Sequence, residues 1–108
     1  MQNIKDYIKF LGLKKPVVIR LNTRTHKRWD GYYSPHYNDK GKLAEHRIMI
    51  YLEDTRRSFD TLLAHELIHA WQEENKVEEF HGEQFIRIAR SMECQFGLCD
   101  VYVESADD

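Results

Sequence analysis

The segment from Ser58 to Glu74 constrains this chain more than any other. Phe59, Leu62, Leu63, Leu67, Ala70 and Trp71 recur at three- and four-residue spacing, the signature of a helix with a wide apolar face. Thr55 and Ser58 are both available to cap its start. Yet the same turns carry His65, Glu66 and His69, an HExxH pattern. Residues four apart lie on one helix face about one turn apart, so both imidazoles can reach a single ion. Glu66 points about 100° around the axis, toward a water beside that ion. Ionisable side chains in a largely buried helix need partners, and a shared metal ion supplies them.

A catalytic zinc takes three protein ligands and keeps one position open. Glu73 is too far along the same helix, since eight residues span an axial rise of about 12 Å. The third ligand therefore comes from another element. His81 is the leading candidate, because Gly82 beside it permits close backbone approach where the next helix begins. Glu78, Glu79 and Glu83 are rivals, since sites with two His and one Glu exist.

The rest of the chain supplies a small α+β scaffold in the order α-β-β-β-α-α. Ile4, Tyr7, Ile8 and Leu11 predict a short helix with Asn3 as its cap and Gly12 as its end. The run Val17 to Leu21 predicts a strand, and the stretch from Trp29 to Tyr51 a hairpin turning on Asn38-Asp39-Lys40-Gly41. Pro35 marks the first arm as an edge or an irregular strand. The segment 47–52 is the strongest strand signal; if it forms the sheet edge, an extended substrate peptide can pair with it. Phe85, Ile88, Ala89 and Met92 predict a second helix from Gly82 to Cys94, ended by Gly97, and Val101 to Val103 a last short strand. With 108 residues and no linker, one domain spanning 1–108 is expected.

No apolar run approaches the roughly 20 residues needed to cross a bilayer. Asp6 and the lack of an apolar stretch exclude a secretory signal at the N-terminus, so a soluble intracellular protein without membrane contact is expected. Charge is divided along the chain. Residues 1–47 hold 11 Lys and Arg against 4 Asp and Glu, a net +7; residues 48–108 hold 5 against 14, a net −9. Lys14, Lys15, Arg24, Lys27 and Arg28, with Trp29 adjoining, form a candidate nucleic-acid contact, cations for the backbone and a ring for a base. His26, His36 and His46 fit no ligand spacing and read as surface residues. Cys94 and Cys99 read as free thiols.

His65-Glu66-Leu67-Ile68-His69-Ala70, followed by His81-Gly82-x-x-Phe85, resembles the SprT-like zinc metalloprotease family, which includes DNA-dependent proteases. The resemblance is carried by residues 65–85 and extends weakly to the hairpin before them. It implies His65, His69 and His81 as ligands of one zinc ion and Glu66 as the catalytic acid/base. It also implies a minimal zincin-like core: a small sheet of about three strands packed on the HExxH helix, with a second helix carrying the third ligand. The interval from His69 to His81 is shorter than is usual in the family, so the two helices must be tightly joined. The Cys-rich zinc ribbon of many members is not expected here, because two cysteines cannot make a four-ligand site. Tyr51 and Tyr33, and beside them Tyr32 and Tyr37, are candidate donors to the oxyanion of the transition state. The expected function is a zinc-dependent endopeptidase acting on a protein or peptide substrate, DNA-associated proteins among them. The other class of reading is a non-catalytic module, stapled by zinc, that binds DNA or protein.

Overall fold

In the computed structural model, which describes residues 4–22, 31–51 and 57–102, six elements follow one another as the sequence orders them. They are α1 (Ile4–Leu11), β1 (Val17–Asn22), β2 (Gly31–Tyr37), β3 (Leu43–Tyr51), α2 (Phe59–Asn75) and α3 (Glu83–Phe96). The class is α+β, with one mixed three-stranded sheet packed against helices.

The sheet order is β1-β3-β2. β3 runs parallel to β1 and antiparallel to β2, so it lies in the centre. This corrects the idea of 47–52 as a sheet edge that accepts a peptide: β3 is paired on both sides, and among the described residues the edges are β1 and β2. The strand begins earlier than expected, at Leu43; Leu52 lies outside the described residues, as do Trp29 and Asp30 of the expected hairpin. The turn is held by Asn38, whose side-chain oxygen accepts from the backbone N–H of Lys40 and Lys42 at 2.9 and 3.0 Å. Gly41 takes the positive φ of 76° that this turn requires.

Pro35 sits where a missing N–H costs no sheet bond. Its partner His46 gives its own N–H to Pro16 on the β1 side. The N–H and C=O of one strand residue point the same way, so Pro35 turns its nitrogen to the side of β2 away from β3. Gly31 and Tyr33, at the same parity, present their backbone groups there too.

Alternation along β3 turns His46, Ile48 and Ile50 inward, all three buried. Ile48 and Ile50 join Leu62, Leu63, Leu67 and Ile68 of α2, Tyr7 and Leu11 of α1, Phe85, Ala89 and Met92 of α3, and Val101 in one core. α2 is buried continuously from Thr61 to Ala70, because the sheet covers one side and α1, α3 and the segment after α3 cover the others. Ser58 caps its start, accepting from Thr61 N–H; Thr55 lies outside the described residues. α2 ends at Lys76 with φ 56°, and Val77 N–H returns to Gln72 C=O at 2.9 Å, turning the chain sharply.

The expected last strand is absent among the described residues: Val101 and Tyr102 form a bend, and Val103 is not described. The segment instead folds back over the start of α2. Thr61 donates its hydroxyl to Cys99 C=O at 3.0 Å, and Val101 N–H donates to the Glu93 carboxylate at 2.9 Å. Buried Val101 closes that side of the core.

Candidate metal centre

α2 presents His65 and His69 one turn apart on its buried face, at 0% and 3% exposure. The turn of residues 76–82 then brings His81 against them. Gly82 is needed in that turn, since a Cβ there would lie 2.8 Å from the Cβ of Glu79. The ring centroids of the three histidines are 5.1, 5.2 and 5.1 Å apart, an almost equilateral triangle. One nitrogen from each lies within 4.8 Å of the other two. Phe85 forms the floor: its centroid is 4.9, 4.8 and 4.9 Å from those of His65, His69 and His81, and its ring is fully buried.

The donor chemistry fits a metal ion. His65 Nδ1 faces Val101 C=O at 2.6 Å, and a carbonyl only accepts, so Nδ1 carries the proton and Nε2 keeps its lone pair. His69 Nδ1 is engaged in the same way, with Gln72 Oε1 at 2.9 Å. His81 Nε2 approaches His65 Nε2 to 3.3 Å. Two nitrogens bound tetrahedrally at about 2.0–2.1 Å from one zinc ion stand about 3.3 Å apart. The His65–His81 edge therefore already has the length that a tetrahedral ion needs.

Glu66, 2% exposed, lies beside the head of β2. A Cβ on Gly31 would stand 3.6 Å from its Oε2 and 2.7 Å from Met49 C=O, so only glycine lets the strand pass this close. Phe80, 66% exposed, lies edge-on to His69 at 5.3 Å, and a cavity of about 470 Å³ opens along His69, Gln72, Val77 and Phe80.

Other expected site residues fall elsewhere. Tyr33 points inward, but its hydroxyl is engaged with His46 Nδ1 at 2.7 Å. Tyr51 lies on the opposite parity, on the outer face of the sheet, with its ring 6.3 Å from that of Tyr32. Tyr37 donates to the carboxylate of Glu73. Lys14 and Lys15 are exposed ahead of β1, while Arg24, Lys27, Arg28 and Trp29 lie outside the described residues. Of the carboxylates considered as third ligand, Glu78, Glu79 and Glu83 stand outside the cluster of metal-competent side chains, which is His65, His69 and His81.

His46 is a correction. It is fully buried rather than on the surface, and its Nε2–H donates to Glu74 at 2.7 Å while its other nitrogen meets the Tyr33 hydroxyl at 2.7 Å. Burial alone would raise the Glu74 carboxyl; hydrogen bonds from His46 and from the backbone N–H of Lys14 and Lys15 outweigh it and hold the group below its usual range. Period-two alternation was the available signal, since His46 shares parity with Ile48 and Ile50. Gln72 and Tyr102 also escape sequence reasoning. Gln72 is 1% exposed beneath His69, and the Tyr102 ring lies 5.6 Å from that of His81.

Cys94 and Cys99 are free and exposed. Among the described residues, no helix is long and apolar enough to cross a membrane. Neither a curated protein nor a solved structure matches this chain. The SprT-like family model matches residues 14–105, which contain the sheet, the three-histidine cluster and the segment that folds back onto His65. This chain belongs to the SprT-like family.

Proposed function

We propose that this protein is a zinc-dependent endopeptidase whose ion is held by His65, His69 and His81. The observation that carries the reading is the triangle of imidazoles, two of them almost wholly buried, with the buried carboxylate of Glu66 next to His65 in the same helix. A structural zinc site needs four closing ligands and has no use for such a carboxylate; a hydrolytic one needs both the open position and the base. Zinc bound there polarises a scissile carbonyl and acidifies a water molecule.

The chain's own groups supply the rest. The Glu66 carboxylate takes the proton from the attacking water and returns it to the leaving amine nitrogen. Little water surrounds it, so its charge acts at low dielectric. An extended peptide pairs with the edge of β2 that is open among the described residues, where Gly31 and Tyr33 turn their backbone groups outward and Gly31 adjoins Glu66. Pro35 and the register shift between His36 and Tyr37 confine that pairing to the end of β2 nearest Glu66. DNA-associated proteins are the substrate class, and exposed Lys14 and Lys15 belong to the surface offered to DNA.

The test is Glu66→Gln. The variant retains one zinc per chain, and its cleavage of an unstructured protein such as casein falls about 100- to 10,000-fold, the contribution of a positioned base. Zinc binding with equal cleavage in variant and wild type overturns the mechanism. Zinc binding with no cleavage in either, with or without single-stranded DNA, favours the stapled binding module.

A further inference from the structure

A neutral imidazole has two tautomers, and only the one protonated on Nδ1 offers Nε2 to an ion. For His65 the choice is made by a backbone carbonyl, which can only accept. For His69 the partner is the Gln72 amide, whose two ends are opposite in character. An amide turned the other way would donate to Nδ1, force the proton onto Nε2 and close that nitrogen to a metal. Something beyond His69 must therefore fix the amide.

That group is the carbonyl of Glu79. Gln72 Nε2 lies 2.8 Å from it, and a carbonyl accepts only, so the NH₂ faces Glu79 and Oε1 faces His69. The same carbonyl accepts from Gly82 N–H at 3.3 Å, closing the turn that delivers His81. Gln72 is 1% exposed, with both ends of its side chain satisfied. No other neutral side chain of this length accepts strongly at one end while donating at the other without taking up a proton: ionised Glu cannot donate, Lys and Arg cannot accept, Leu offers neither and Met only a weak acceptor.

We infer that Gln72 is a positioning residue that reads the turn before His81 and sets the tautomer of His69. The connection between the helices does two things at once: it carries one imidazole to the site and, through Gln72, turns the lone pair of another toward the same point. The shortness of the interval from His69 to His81 acquires a use, because only a tight turn leaves Glu79 C=O within reach of a residue on the last turn of α2. This rests on the metal reading above, but its first consequence is visible without metal.

The experiment follows the imidazole nitrogens of the metal-free 108-residue chain by ¹⁵N NMR at about pH 8, where an ordinary histidine is neutral. In the wild type, His69 is protonated on Nδ1 alone. In Gln72→Leu it becomes a tautomer mixture while His65 is unchanged, and zinc affinity, measured by competition with a chromophoric chelator, falls 10- to 100-fold. In Gln72→Glu the carboxylate still accepts from Nδ1–H, so the single tautomer returns. An Nε2-protonated His69 in the wild type, or an affinity in Gln72→Leu within twofold of wild type, overturns the inference. If Gln72→Leu does not fold, the wild-type spectrum and Gln72→Glu decide alone. If the wild type binds no zinc, the metal reading fails, and the tautomer in the two variants still judges Gln72.

Discussion

Phe85 touches all three imidazoles and is fully buried, so one ring is both core and floor. Phe85→Ala is expected to cost the metal-free protein about 3–5 kcal/mol, the range for emptying a buried phenylalanine, as read by urea unfolding. Zinc affinity should fall with it; an unchanged affinity would show that the histidines hold their geometry without the floor. His46 makes a different demand. Its hydrogen bond helps hold the Glu74 carboxyl below the usual 4.5. A carboxyl depressed on folding contributes stability that is present above its unfolded value and lost as pH falls through the folded one. Glu74→Gln is therefore expected to destabilise at pH 7 and to flatten the loss of stability below about pH 4.5. Melting of both metal-free proteins across that range checks it, and parallel curves would refute it. At this scale the three clustered histidines were legible because the four-residue spacing of two of them already sets both on one helix face. His46 was not, because scanning for ligand spacing ignores the parity that buries it, and Gln72 was not, because a lone amide carries no pattern.

Elements read from the chain with unequal success for physical reasons. α2 and α3 announce themselves by their period, and the hairpin by Asn38 and Gly41. That β3 is central is not local information: it depends on β1 choosing the far side of β3, a pairing between segments almost thirty residues apart. The segment after α3 was misread as a strand because β-branched and aromatic residues suit either a strand or a buried cover. Its true role is to bring Val101 C=O to His65, and Glu93 anchors it by accepting from Val101 N–H. Glu93→Ala should loosen this segment and lower zinc affinity about tenfold, the low end for removing support from a ligand, with α2 otherwise intact by circular dichroism. Thr61→Val, which releases the same segment at Cys99, should act in the same direction. Full affinity in both variants would mean that His65 is oriented by its helix alone.

Across the whole molecule, the charge divided along the sequence falls on different elements. The basic half supplies α1, β1, β2 and the beginning of β3, while the acidic half supplies α2 and α3 around the histidines. An acidic surrounding favours a divalent cation and disfavours an anionic competitor at the same place. The core is small, and three imidazoles, two of them almost wholly buried, pack against its Phe85. An ion that binds only the folded state adds RT ln(1 + [L]/Kd), about 4 kcal/mol when free zinc is 1,000 times Kd. For a chain of this length each kcal/mol moves the midpoint by roughly 4–8 °C. Chelation should therefore lower the melting temperature by about 15–30 °C at such a ratio, and the shift should grow with the logarithm of added zinc. Replacing His81 with alanine should remove that dependence while leaving the melting of the metal-free protein nearly unchanged, because this imidazole is only partly buried and its helix starts beyond it. If chelation moves the midpoint by no more than about 2 °C at the same ratio, the ion binds folded and unfolded chains alike. The histidine triangle would then be held together by its own packing on Phe85 rather than by a metal.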